Sequence, residues 1–137
     1  MSSHNSHYFC RAVSWLALFA SLAGCSGQST VESFHPAQDR AREALETALT
    51  AWQNGQEKPG RIETAEPAVQ VTDAAWDAGS KLKSFEISDL PGDSPRKFSV
   101  KLSLEGAATP QEITYVVVGK DPLWVMREDQ YNRNSEM

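Results

Sequence analysis

Cysteine and histidine are the residues of this 137-residue chain best suited to bind a metal or to act in nucleophilic catalysis, and they are few. The two cysteines are Cys10 and Cys25, and the three histidines are His4, His7 and His35. His4, His7 and Cys10 have the spacing of half a metal site, but they lie in the polar start of a leader-like segment, so no metal site is expected there. His35 stands at a predicted helix start, where a helix-flanking role is expected. This inventory favours neither a zinc site nor a Cys–His or Ser-His-Asp catalytic group.

Carboxylates are the plentiful acid or base groups of the chain. Asp73 and Asp77 are four residues apart, so they share one face of a predicted helical turn beside Trp76, and Glu86 projects from a predicted strand. A carboxylate in an apolar pocket can have a raised pKa and act as an acid or a base. Helix capping explains the aspartate pair equally well. We therefore assign no catalytic residue, and a carboxylate-based enzyme stays the weakest of three alternatives.

Residues 1–24 have the pattern of a secretory signal segment. Arg11 is the one formal charge in them and is followed by an apolar run from Ala12 to Gly24. The run is shorter than the roughly 20 apolar residues that a membrane-spanning helix needs. The pattern predicts a removable signal peptide over residues 1–24.

The apolar run ends in Leu22-Ala23-Gly24-Cys25. This sequence resembles the lipobox of bacterial lipoproteins, in which Leu stands three positions before the Cys and small residues stand between them. The resemblance implies a diacylglyceryl group on the Cys25 sulfur, cleavage before Cys25, and fatty acylation of the new amino terminus. Two or three acyl chains, at about 0.8 kcal/mol per buried methylene, would anchor the protein permanently to a membrane.

The residue after the cysteine bears on location. In lipoproteins of bacteria with two membranes, Asp at this position commonly retains the protein in the inner membrane, whereas this chain has Ser26. The resemblance therefore implies the extracytoplasmic side of a bacterial membrane, with the outer membrane favoured over the inner one.

The chain left after cleavage is acidic and has one cysteine. The whole chain has 13 basic and 18 acidic side chains, a formal charge of −5, and the loss of Arg11 makes this −6. There is no basic block, so nucleic acid is not expected as a partner. Cys25 would be the sole remaining cysteine, so no intramolecular disulfide is expected. Residues 25–35 are predicted to form a polar tether with a relaxed reach of about 15–20 Å, which keeps the domain near the lipid headgroups.

Residues 36–54 carry small and apolar side chains at spacings of three and four, which predicts a helix. Pro36 suits the first helical turn, and Gly55 suits the position just after the end. The opposite face carries charges of both signs, unlike the basic face of most membrane-surface helices, so packing on a sheet is predicted. The predicted buried stripe consists of Ala37, Ala41, Ala44, Leu45, Ala48, Leu49 and Trp52.

Four strands are predicted after this helix, together with a short strand at 69–72 and a helical turn at 73–79. In residues 97–104, apolar and polar side chains alternate, so one face is expected to be buried and the other solvated. The last two strands are apolar at nearly every position, which predicts burial on both faces. The tail over residues 130–137 is predicted to be disordered. The four main strands are Lys81–Ile87, Lys97–Leu104, Ile113–Val118 and Leu123–Met126.

One helix followed by about four strands, without strand and helix alternating, predicts an α+β domain over residues 36–129. The N-terminal helix is expected to pack on a curved antiparallel sheet. The order of elements is similar to that of cystatin and NTF2-like domains, in which a curved sheet wraps a helix. Such folds include enzymes, inhibitors and scaffolds, so the likeness does not select a function.

The two-faced C-terminal hairpin predicts a binding surface. If alternate residues of the hairpin face the helix, the others need another cover. Residues 69–76 could supply that cover, which would make these side chains part of the core; otherwise they would line an apolar groove for a lipid, a peptide or a second copy of the chain. The candidate surface consists of Trp76, Glu86, Val116, Val118, Trp124 and Met126.

Three functions follow from these observations. The leading one is a lipid-anchored extracytoplasmic domain, without catalytic activity or cofactor, that binds another envelope protein or a second copy through the hairpin. The alternatives are a binder of a small molecule or lipid in a cavity between helix and sheet, and a carboxylate-based enzyme in that cavity. A cavity lined by Trp76, Glu86 and Trp124 would favour the alternatives. A filled interior with an exposed Trp124 would favour the leading function.

Overall fold

The computed structural model describes residues 35–92 and 95–137. The predicted signal peptide, the lipobox with Cys25 and the tether up to residue 34 lie outside the described residues. No helix in the described ranges combines the length and apolar character needed to cross a membrane. The elements are α1 (Gln38–Gln53), β1 (Arg61–Ile62), β2 (Val69–Thr72), α2 (Ala74–Asp77), β3 (Leu82–Asp89), β4 (Arg96–Leu104), β5 (Gln111–Gly119), β6 (Leu123–Arg127) and α3 (Glu128–Ser135).

The α+β class is confirmed, but the predicted sheet of about four antiparallel strands was wrong in two respects. Among residues 35–92 and 95–137 the sheet is curled and has six strands in the order β1-β2-β6-β5-β4-β3. It is also mixed, because β2 pairs with β6 in parallel while the other neighbours are antiparallel. The short strand predicted at 69–72 is present as β2. A two-residue strand such as β1 carries too few side chains for a clear alternation, and the strand that β2 pairs with comes about 50 residues later in the chain.

Helix α1 packs its predicted apolar stripe against the inner face of the sheet. Six of the seven predicted residues are buried in the helix, and the exception, Ala37, precedes its first turn and is exposed. The inner face of β4 contributes Phe98, Val100 and Leu102, all fully buried. The alternation that predicted β4 is therefore confirmed, and the space between helix and sheet is occupied by side chains.

A β-bulge near the start of β3 changes which face its first residue occupies. The pairing of β3 with β4 shifts between Leu82, opposite Leu104, and Ser84, opposite Ser103. The extra residue, Lys83, turns Leu82 into the core, on the same side as Phe85. Strict alternation would place Leu82 and Phe85 on opposite faces, and the bulge is the reason that both contact the core.

The C-terminal segment forms a helix where a disordered tail was predicted. Helix α3 follows β6 directly and contacts β5 and β6. Its first residue, Glu128, lies 2.5 Å from Nζ of Lys97, a solvent-face residue of β4. Because Lys97 pairs in register with Val116, α3 lies across the outer face of the sheet at that position. No residue of α3 is fully buried, so its polar sequence has no apolar stripe from which a helix could be predicted.

Candidate functional site

The structure does not bring the six predicted surface residues together. Val116, Val118, Trp124 and Met126 share the outer face of the β5–β6 hairpin, where Val116 pairs with Met126 and Val118 with Trp124. Trp76 lies on the other side of the sheet, in the core. Glu86 lies on the outer face of β3, beside Lys101, at the far edge of the sheet.

Helix α3 covers half of the hairpin's outer face. Val116 and Met126 are buried, yet neither belongs to the main core between α1 and the sheet. The helix that contacts β5 and β6 on this face is α3. The sequence suggested residues 69–76 as a cover; residues 69–72 instead extend the sheet beside β6 as strand β2.

Trp124 and Val118 remain as the accessible part of this face. Trp124 is 41% exposed, and Val118, opposite it, is half-buried. The indole lies over Gly119, because a Cβ at position 119 would be 3.3 Å from Cδ1 of Trp124 and 2.8 Å from the carbonyl oxygen of Pro122. Glycine thus allows the turn and the ring to approach each other closely. We call Val118 and Trp124 the hairpin patch.

Trp76 is held in the core by stacking and by its indole nitrogen. Its ring stacks on Trp52 with 5.4 Å between centroids and 6° between planes. Trp52 Nε1 donates to the carbonyl oxygen of Ser80 and Trp76 Nε1 to that of Gln56, both at 2.7 Å. Each buried indole therefore has a partner for its N–H, and the pair closes the end of the core where α1 finishes.

Two open clefts flank α1 at its opposite ends. One, of about 360 Å³, lies beside the first half of the helix and is bordered by Glu43, Glu66 and Leu123. The other, of about 530 Å³, lies beside the last turn and is bordered by Trp52, Lys81 and Glu105. Neither cleft includes Glu86 or Trp124, so neither is the predicted cavity between helix and sheet.

A buried polar cluster of Asp73, Tyr115 and Arg127 is the site that the sequence did not reveal. Tyr115 and Arg127 are paired in register on the inner face, and Asp73 directly follows β2. Oδ2 of Asp73 accepts hydrogen bonds from the Tyr115 hydroxyl and, at 3.0 Å, from Nε of Arg127. Oδ1 accepts from the backbone N–H groups of Ala75 at 2.9 Å and Trp76 at 3.1 Å.

The capping role predicted for Asp73 is therefore present, but its environment differs from the expected one. Asp73 is 1% exposed, and the side chain of Arg127, at the end of β6, is 16% exposed. The sequence signal for this cluster was the presence of Tyr115 and Arg127 on neighbouring strands. Asp73 comes beside them only because β2 pairs with β6 in parallel. Asp77 is exposed and 3.8 Å from Lys58, so the two aspartates do not form a pair.

Burial and charge fix the protonation of two cluster members. Burial raises the pKa of the Tyr115 hydroxyl well above its ordinary value, and the charge of Asp73 raises it further. Burial lowers the pKa of Arg127, but its hydrogen bond with Asp73 and the negative charge of that carboxylate outweigh this, so the pKa is raised. Tyr115 is therefore a neutral hydrogen-bond donor and Arg127 a cation.

Chemically, this cluster is suited to holding strands together. Both oxygens of Asp73 are engaged by donors from α2, β5 and β6. Nη2 of Arg127 is buried and has no hydrogen-bond partner in the part of the chain that the structure describes. No group of three or more metal-ligating side chains occurs among residues 35–92 and 95–137.

Known proteins offer no further guide to the site. No known protein family, curated protein or solved structure matches the chain significantly.

Proposed function

We propose that this protein is a lipid-anchored extracytoplasmic domain of a bacterial envelope, with a non-catalytic role in binding or scaffolding another envelope protein. The observation that carries the proposal is Leu22-Ala23-Gly24-Cys25 at the end of a short apolar run, ten residues before His35, where the described domain begins. A thiol at this position is the attachment point for lipid in the proteins that the motif resembles. The outer membrane is the favoured location because Ser26 follows the cysteine.

The packing of the domain supports binding at a surface rather than in an internal cavity. The inward side chains of α1 and β4 are buried against one another, and the clefts at the opposite ends of α1 are open. The carboxylates considered for catalysis do not lie together. Both oxygens of Asp73 already accept hydrogen bonds, Asp77 is exposed, and Glu86 is on the outer face of the sheet.

Replacement of Cys25 tests the anchor. The full chain and its Cys25→Ser variant would be produced in a bacterium and separated into membrane and soluble fractions. We expect the unaltered protein in the membrane fraction with the mass of residues 25–137 plus acyl chains, and the variant without acyl mass. Cys10→Ser is the matched control, because it also removes a thiol but leaves the lipobox intact; it should be acylated normally. An unmodified Cys25 thiol on the membrane-derived protein would contradict the proposal.

The binding role needs a separate test. Photo-crosslinking side chains placed at the exposed positions Lys81 and Glu112 would be activated in intact cells. We expect one discrete adduct with another envelope protein or with a second copy. Native mass spectrometry of the Cys25→Ser protein would complement this, because a copurifying small molecule would favour the cavity-binding alternative instead.

A further inference from the structure

We propose that the domain rests on the bilayer with the β5–β6 turn towards the lipid, and that Trp124 lies among the headgroups. This inference rests on the proposed lipid anchor. The relevant part of the molecule is the end of the sheet where β5 finishes and β4 and β6 begin, marked by Arg96, Gly119 and Leu123. We call it the proximal end.

The chain enters the domain at the proximal end. The carbonyl oxygen of Pro36 accepts a hydrogen bond from Nε of Arg96 at 3.0 Å, and Arg96 pairs in register with Val117. Pro36 is buried, so the entry point is fixed on the domain. The first half of α1 shares a cleft with Leu123, the first residue of β6. The start of α1 and the hairpin patch are therefore at the same end of the sheet.

The length of chain between the lipid and the domain makes this end the one nearest the membrane. His35 is ten positions after Cys25, a length of chain that spans at most about 35 Å when fully extended and about 15–20 Å when relaxed. Helix α1 has 16 residues and carries the chain about 24 Å away from the entry point. The cleft beside Trp52 is at that far end. With a relaxed tether, the proximal end reaches the lipid before the far end does.

The chemistry of the hairpin patch suits a membrane interface. An indole combines a large apolar surface with a polar N–H, and tryptophan is enriched at the level of the headgroups for that reason. Lys120 and Asp121 in the adjoining turn are exposed and opposite in charge. Charge at the turn therefore neither attracts nor repels anionic headgroups strongly, and we expect contact with neutral and anionic lipid alike.

The size of the patch favours lipid over a protein partner. A stable protein interface buries about 800 Å² on each side, whereas one aromatic side chain supplies about 150–250 Å². Helix α3 already covers Val116 and Met126, which would have enlarged the apolar area. The accessible apolar surface that remains is that of Trp124 and the half-buried Val118. This area is too small for a stable protein interface but suits a single side chain inserted among lipid headgroups.

The test uses the acylated protein purified from membranes and placed in vesicles of phosphatidylcholine with bromine atoms on the acyl chains near the headgroups. Bromine quenches tryptophan emission at short range. The chain from residue 25 contains the tryptophans Trp52, Trp76 and Trp124, and the first two are buried in the core. In the unaltered protein we expect quenching of the emission of about one tryptophan in three. This quenching should be absent in Trp124→Phe, and it should change little when anionic lipid is added to the vesicles.

A matched variant controls for position. Lys81→Trp in the Trp124→Phe background puts an exposed indole at the far end, where we expect no quenching. Equal quenching of the unaltered protein and Trp124→Phe would overturn the inference. Quenching only when other envelope proteins are present would also overturn it, in favour of a protein contact. Protein that is not acylated would instead contradict the proposed function, so the two failures are distinguishable.

Discussion

Asp73 joins three elements through a single carboxylate. Its Oδ1 caps α2, and its Oδ2 binds Tyr115 on β5 and Arg127 on β6. A buried ion pair stabilises a fold little more than well-packed apolar side chains in the same place would. Removal of one partner, however, leaves the other charge buried and uncompensated. The cost of losing Asp73 should therefore be much larger than that of an exposed carboxylate nearby.

Asp73→Asn should destabilise the fold strongly. The amide keeps the shape and can still cap α2, but it removes the charge that faces Arg127. We expect the free energy of unfolding to fall by about 3–5 kcal/mol, measured by chemical denaturation. Asp77→Asn is the control, since Asp77 is exposed and 3.8 Å from Lys58; its effect should stay within about 0.5 kcal/mol. Equal effects of the two substitutions would contradict the structural role of the cluster.

Tyr115 should make stability depend on alkaline pH. Because its pKa is raised in the fold, the folded state keeps the phenolic proton where the unfolded state, with a pKa of about 10, releases it. Its contribution is thus fully present below about pH 10 and is lost as the pH rises towards the folded-state value. Tyr115→Phe should be less stable than the unaltered protein by about 1–3 kcal/mol at pH 8, since Asp73 loses a donor.

The difference between these two proteins should shrink above pH 10. Urea denaturation at pH 8, 9, 10 and 11 would measure it. A difference that stays constant over this range would show that Tyr115 ionises equally in both states, contrary to its burial.

At the scale of elements, the long amphipathic segments and the short strand and helical turn of residues 69–79 were predictable from the sequence, whereas features that depend on pairing between strands were not. Helix α1 and strand β4 have enough residues for their periodicity to be clear, and both are confirmed. The bulge at Lys83 and the two-residue β1 carry no such pattern, because their conformation depends on the neighbouring strand. Helix α3 was missed because it has no buried residue.

The candidate site was predictable to the same extent. The apolar alternation of β5 and β6 correctly placed four side chains on one face of the hairpin. It did not show that α3 covers two of them, nor that the parallel pairing of β2 brings Asp73 to Tyr115. Both facts depend on contacts between segments, which periodicity within a segment does not report.

The β5–β6 turn should be sensitive to any side chain at Gly119. Its φ is +92°, and a Cβ would lie 2.8 Å from the carbonyl oxygen of Pro122. Gly106 has a φ of +82° but no atom within 4 Å of a Cβ position. Both Gly→Ala substitutions carry the backbone cost of about 1–2 kcal/mol. Gly119→Ala should cost about 1–3 kcal/mol more because of overpacking, measured as the free energy of unfolding. Equal costs would mean that the turn relaxes freely.

Helix α3 should be needed to shield the outer face of the hairpin. Deletion of residues 128–137 would expose Val116 and Met126 beside Trp124, which makes a continuous apolar surface on the hairpin. We expect increased binding of a hydrophobic dye and concentration-dependent association in sedimentation. Deletion of residues 136–137 alone, beyond the end of α3, is the control and should change neither property. Unchanged dye binding after the longer deletion would contradict the covering role.

The whole domain is organised around one continuous core. The same cluster of buried side chains includes Val69 and Leu123 at the proximal end and Trp76 and Leu82 at the far end. Helix α1 spans this distance and contacts strands β2 to β6. A domain of about 100 residues with a single core is expected to unfold in one cooperative step. The two ends of the sheet should therefore lose their structure together, although the proposed functions place one against lipid and the other in the aqueous envelope.

Tryptophan emission can test this cooperativity, because the tryptophans report different places. Trp52 and Trp76 stack at the far end of α1, whereas Trp124 lies at the β5–β6 turn. In the acyl-free chain from Ser26 onward, which lacks Trp15, the emission of Trp124→Phe reports the far end, and its difference from the emission of the parent reports the turn. We expect both to change at the same guanidinium concentration as the far-ultraviolet circular dichroism. If the turn instead unfolds at a lower concentration, the hairpin is an independent unit, and its contact with the bilayer would then be made by a locally opened segment rather than by the rigid domain.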